Sequence, residues 1–241
     1  MMRHLPRLLS VFIVFPLLCL QPTTRKEWHQ RPRQAPLVAQ DGDEISYLLC
    51  QLYETVIIDD SKIRIDGPSD EDQKEICRRL IGLADESLES RSRVIQALIE
   101  ELGKPEAKKG FLIAIPWVNV VRVLGKLKAV EAIDTLVSNI GFTGQKIVIS
   151  ESFNPTYHAV VMMGEAAIQS LTEEVLSDHD SWSRTWAAWA LCEIGGNEAR
   201  QSLELAVRSE RDEWTQQELQ RALTFLIREE PYRLKERQAT S

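Results

Sequence analysis

Trp182, Trp186, Trp189 and Glu193 stand at i, i+4, i+7 and i+11 in the C-terminal third of this 241-residue chain. On a helix that spacing puts all four on one face. Indoles in a row are binding chemistry rather than bond-breaking chemistry: each removes a large apolar area from water and keeps an N–H for a partner. The opposing reading is that they pack under a neighbour, namely the 141–156 segment, the terminal helix carrying Trp214 or the N-terminal helices. Residue types that move protons are sparse beside them. His4 and His29 precede the first amphipathic stretch, His158 starts a helix beside Tyr157, and His179 lies in "SDHD", where the acids suit a helix N-terminus. No HExxH, GxSxG, phosphate-loop or dinucleotide-glycine pattern occurs. The expectation is a chain with no catalytic residue, no cofactor and no metal, whose candidate partner-binding residues are Trp182, Trp186, Trp189 and Glu193.

Charge and cysteine usage narrow the partner class. Residues 1–36 carry six basic residues and one acid, whereas residues 37–241 have a net charge of −12. So acidic a body repels phosphate backbones, which leaves protein rather than nucleic acid as the expected partner. Cys50, Cys77 and Cys192 are odd in number and lack CxxC spacing, so they indicate neither a zinc site nor a disulfide framework.

At the N-terminus, Arg3 and Arg7 precede a 13-residue apolar run, Leu8–Leu20, the pattern of an export signal. The run is short and proline-interrupted for a membrane span. Residues 1–22 are therefore expected to be a signal peptide or membrane anchor, and 23–43 a flexible linker. Cys19 follows Leu18, a large residue where lipid-attachment signals want a small one. The protein is expected to be exported or envelope-associated, attached to a membrane through the N-terminus alone if at all; a cytoplasmic chain with an apolar first helix is the alternative.

The elements that must position the tryptophans are helices. "EISYLLCQLYETV" is a first amphipathic stretch, and Ser69 with Asp72 three residues on forms a capping box for the next helix. Ile95, Leu98, Ile99 and Leu102 form one stripe that ends at Gly103. Pro116 starts a helix, and Pro231 is expected to end the last one, leaving 233–241 as a charged tail. The exception is 141–156, a non-helical insertion in which "KIVIS" alternates like a strand between glycines and a proline.

Self-similarity organises these helices. "LGKPEAKKGF", "LGKLKAVEAIDTL", "MGEAAIQSL" and "IGGNEARQSL" each place a glycine after a helix, then an alanine with a large apolar residue four positions on. Ala107, Ala132, Ala167 and Ala199 are separated by 25, 35 and 32 residues, and the last two spacings suit a helix-pair repeat. Small residues let neighbouring helices approach, and a left-handed glycine turns the chain between them.

"SRTWAAWALCEIGGNEARQSL" resembles a HEAT repeat of the phycobilisome-lyase type, through Arg184, Ala187, Ala188, Ala190, Leu191, Ile194, Gly195, Glu198, Ala199 and Leu203. Cys192 stands where such repeats commonly have glycine. The resemblance extends more loosely to 117–138 and 157–176. It implies an all-α fold, an α-solenoid of stacked antiparallel helix pairs over 44–232, and binding of other proteins; with the export pattern and the missing catalytic motifs, the expectation is a non-catalytic scaffold for protein–protein interaction in the cell envelope. An enzyme-accessory or bilin-lyase-like role is the alternative it admits.

Overall fold

The computed structural model describes residues 41–53, 55–59, 62–108, 114–142 and 154–240, with the side chains of 44–53, 67–108, 114–142 and 154–229. The signal or anchor expected at 1–22, the "KIVIS" run and nearly all of the expected linker lie outside these residues. The described elements are α1 (Asp41–Cys50), β1 (Thr55–Asp59), β2 (Lys62–Asp66), α2 (Asp70–Glu86), α3 (Leu88–Leu102), α4 (Ile115–Leu127) and α5 (Ile133–Val137), followed by α6 (Pro155–Met163), α7 (Ile168–Val175), α8 (Ser181–Ile194), α9 (Gly196–Ser209) and α10 (Glu213–Thr240).

Three expectations need correction. The linker gives way to helix at Asp41, inside the expected 23–43. The first amphipathic helix stops at Cys50 rather than running to Val56, so the fold is predominantly rather than wholly helical: β1 and β2 pair antiparallel with Asp59 opposite Lys62. The signal was present, since β-branched residues at 55–58 and isoleucines at 63 and 65 flank a two-residue connection. At the other end, Pro231 does not terminate α10, which continues to Thr240. An internal proline removes one backbone hydrogen bond, and the Arg, Leu, Lys, Glu and Gln beyond it are strong helix formers that sustain the remaining turns.

Local chemistry explains most helix starts. Ser69 and Asp72 form the expected capping box at α2, with the Asp72 N–H donating to Ser69 Oγ at 3.2 Å and the Ser69 N–H to Asp72 Oδ2 at 3.0 Å. Pro116 lies in the first turn of α4, within one residue of its expected start, and Asn154 caps α6 ahead of Pro155. The insertion expected at 141–156 thus yields to ordered helix by Pro155. Helix ends vary more. Gly164 (φ 66°) ends α6, and Gly195 (φ 73°) with Gly196 (φ 90°) turns α8 into α9, as the repeat pattern requires. After α4 the left-handed position is taken by Lys128 (φ 48°), while Gly103 closes α3 in the right-handed region. Gly125 serves a different purpose: a Cβ there would come within 2.9 Å of Ala159 Cα, so its bare backbone lets α4 and α6 touch.

From α4 onward the helices form two rows, α4–α6–α8–α10 in one and α5–α7–α9 in the other, each helix packed on the next. Ser170 Oγ donates to Asp134 Oδ1 at 2.7 Å between α7 and α5, and Thr172 Oγ1 lies 2.7 Å from Ser202 Oγ between α7 and α9. The core between the rows includes Trp117, Leu124, Leu136, Leu171, Leu191, Leu203 and Leu219, all fully buried. Ala187, Ala188 and Ala190 have no exposed surface, and Cys192 is 1% exposed. Small side chains therefore fill the buried positions of α8, and the tryptophans take its partly exposed ones. No helix among the described residues is long and apolar enough to cross a membrane.

Candidate functional site

Helix α8 begins at an Asp cap. Asp180 accepts from the Ser183 N–H at 3.0 Å and from Ser183 Oγ at 2.8 Å, and Trp182 is the second helical residue. The same construction recurs 32 residues later, where Asp212 accepts from the Thr215 N–H at 2.8 Å and from Thr215 Oγ1 at 2.7 Å, with Trp214 second in α10. "DSWS" and "DEWT" are thus one Asp-x-Trp-Ser/Thr device used at the start of two consecutive helices of the row. Because α8 and α10 run in the same direction, the device brings the two indoles together. Trp182 and Trp214 stack with centroids 6.3 Å apart and planes 16° from parallel.

From that pair the rings continue across three helices. Trp182 meets Trp186 edge-on at 5.7 Å, Trp186 lies 5.3 Å from Tyr157 of α6, and Tyr157 meets His158 at 5.1 Å. A second contact lies farther along the helices, with Trp189 edge-on to Phe225 at 6.3 Å and the Arg228 guanidinium 5.0 Å over the Phe225 ring. Trp189, Gln220, Arg221, Thr224, Phe225 and Arg228 line a shallow recess of about 310 Å³ there.

The four residues singled out from sequence do share a face, but in different surroundings. Trp182, Trp186 and Trp189 are each partly buried against a neighbouring ring, and Glu193 is exposed while accepting a hydrogen bond from the Tyr157 hydroxyl. Of the Trp and Phe rings in these contacts the most exposed belong to α10: Trp214 at 45% and Phe225 at 38%. Trp186 Nε1 is buried and meets no acceptor among the described residues. The indoles pack against rings of the terminal helix and of α6, and Trp214 and Phe225 form the exposed part of that contact.

An ion pair holds the α8–α10 corner. Arg184 grips Glu210 through Nε at 2.8 Å and Nη2 at 3.3 Å and also donates to the His179 carbonyl. The two side chains are 12% and 9% exposed. Burial works against the Glu210 charge, but the Asp212 and Arg211 N–H groups and the Arg184 guanidinium outweigh it and hold the carboxyl below its usual range. Asp180 shows the same balance, with burial opposed by the Ser183 hydroxyl and by N–H groups, and ends lowered. Asp212 is lowered by the Thr215 hydroxyl and N–H.

Elsewhere, buried polar groups serve packing. Glu101, 2% exposed, accepts from the Tyr53 hydroxyl and from Lys104 Nζ at 2.7 Å, and burial followed by that carboxylate pushes the Tyr53 phenol well up. Cys77 lies 3.6 Å from Asn119 Oδ1, and burial raises its thiol. Cys50, Cys77 and Cys192 are present as thiols. His179 Nδ1 is 2.9 Å from Glu174 Oε2, a local link beside the α8 cap. Among the described residues no group of three or more His, Cys, Asp or Glu could hold a metal ion.

Sequence reasoning missed Phe225 and Arg228 as members of this face and the buried Tyr157 as the ring packed against Trp186. The signal available was the recurrence of an aromatic in the first three residues of each helix in the row: Trp117, Tyr157, Trp182 and Trp214. The alanine register concealed it, because anchoring on the interior discards the outer face.

The arrangement of α8, its double-glycine turn and α9 agrees with a family likeness. The PBS lyase HEAT-like repeat matches residues 183–209, which span most of these two helices. Residues 183–209 are thus similar to a HEAT-like repeat, and this stretch holds Trp186, Trp189 and Glu193 of the tryptophan face. No curated protein matches the sequence.

Proposed function

We propose that this chain is a non-catalytic α-solenoid scaffold that binds a protein partner across the aromatic surface of α6, α8 and α10. HEAT repeats commonly mediate protein interaction, and stacked helix pairs offer a rigid extended surface for it. The observation that carries the reading is the unbroken run of rings from Tyr157 through Trp186 and Trp182 to Trp214, ending in an indole that is 45% exposed. Large aromatics that keep solvent contact on a preformed surface are the residue type that dominates binding energy in protein interfaces. Location at the cell envelope, through a signal or anchor at 1–22, belongs to the proposal and rests on the sequence of that segment alone.

The test is affinity capture from envelope extract with the wild type and with the triple variant Trp182→Ala, Trp186→Ala, Trp189→Ala, after circular dichroism establishes that both are folded. A partner identified by mass spectrometry and retained only by the wild type supports the reading; equal retention places the interface elsewhere. The repeat type also admits a bilin-lyase-like accessory role. Bilin bound by the purified chain, read as visible absorbance, would favour that role over a scaffold.

A further inference from the structure

The corner where α8 and α10 begin has both shape and charge. Trp214 stacks one face on Trp182 and keeps 45% of its surface in solvent. Around this indole pair lie Asp178, Asp180, Asp212 and Glu213, all exposed. Of the described basic residues nearby, Arg184 is matched by Glu210 and His179 lies 2.9 Å from Glu174, which leaves Arg211 beside them. The other end of the aromatic surface is close to neutral, since Arg221 pairs with Glu218 and Arg228 with Glu229 at 3.1 Å. Among the described residues, exposed carboxylates are thus concentrated beside the most exposed indole.

We infer that this surface docks a basic protein segment through an arginine laid flat on Trp214, with Asp212 and Glu213 beside it. The inference rests on the scaffold reading above and specifies the partner's chemistry. An indole that is stacked on one neighbour and still 45% exposed suits a planar guanidinium, which stacks on an indole and still directs its N–H groups sideways to carboxylates. An ammonium is a compact, strongly hydrated point charge with no plane to lay on the ring. An acidic segment is repelled by the four carboxylates, as nucleic acid is by the body as a whole.

The test titrates the full chain at low salt with acetylated (Arg-Gly)4, the matching (Lys-Gly)4 and (Glu-Gly)4, reading affinity by calorimetry. The arginine peptide should bind about fivefold or more tightly than the lysine peptide, the size expected of a stacked guanidinium, while the glutamate peptide does not bind. Trp214→Leu and, separately, Glu213→Gln should each remove most of that preference. The paired change Glu71→Gln, Glu75→Gln on the exposed face of α2 should leave it intact. Equal binding of the arginine and lysine peptides, or an arginine preference that survives both Trp214→Leu and Glu213→Gln, overturns the inference and reduces the effect to diffuse charge. If the triple tryptophan variant loses its captured partner while the peptides show no arginine preference, the scaffold reading stands and the basic-partner chemistry falls.

Discussion

Trp117 and Trp214 each lie within the first three residues of a helix in the same row, yet one is sealed and the other is not. Trp117 has no exposed surface. Its Nε1 donates to Thr156 Oγ1 at 3.3 Å, Phe142 meets it edge-on at 5.1 Å, and Lys108 Nζ sits 4.9 Å above the ring. The cover comes from the ends of the connection between α5 and α6. Asn154 ties them by donating to the Ile140 carbonyl at 2.7 Å, and the Thr156 hydroxyl donates to the Phe142 carbonyl at 3.3 Å. Between α9 and α10 the connection spans only Glu210, Arg211 and Asp212, and it supplies a cap and an ion pair rather than a lid. The described ends of the longer connection cover Trp117, whereas the three residues before α10 leave Trp214 45% exposed. Position within the repeat therefore does not decide an aromatic residue's role. The neighbouring connection does.

Removing the sealed ring gives the largest expected effect. Trp117→Ala should cost about 3–5 kcal/mol, the range for large aromatics taken from a core, measured by urea unfolding. A cost near zero would mean that the fold around Asn154 and Thr156 does not cover Trp117, and the contrast between the two regions would fail.

Acidification should act on the open corner with a smaller effect. Glu210 and Asp180 are both held below their usual range in the folded state. A carboxyl lowered on folding stabilises the native state fully above its unfolded value, near pH 4, and loses that contribution as pH falls through the folded value. The melting temperature should therefore decline below about pH 4. The double variant Glu210→Gln, Asp180→Asn should show a shallower decline, because Asn still caps the helix and neither substitute titrates. Identical pH profiles would show that the corner is held by packing rather than by these charges.

Much of the fold was legible because it is written in local chemistry. The Ser69 capping box, the Pro116 start and the alanines of α8 each depend on residues within a turn or two of one another. The β-hairpin was legible too, but its β-branched run follows a helical pattern without a break that marks where one ends and the other begins. Pro231 misled in the other direction: the usual penalty for a helical proline is paid once, and the sequence beyond it favours helix. For the candidate site, spacing alone put Trp182, Trp186, Trp189 and Glu193 on one face. It could not tell which rings a neighbouring helix would cover, since Phe225 and Tyr157 reach Trp189 and Trp186 only through the stacking of separate helices.

The central claim is that the α8–α10 indoles form a surface while Trp117 forms core. Fluorotryptophan NMR with a soluble paramagnetic agent tests it ring by ring, with signals assigned from single Trp→Phe variants. The account predicts strong broadening for Trp214, intermediate broadening for Trp182 and Trp189, and none for Trp117. Trp214 as protected as Trp117 would contradict it and make the row of tryptophans part of the core.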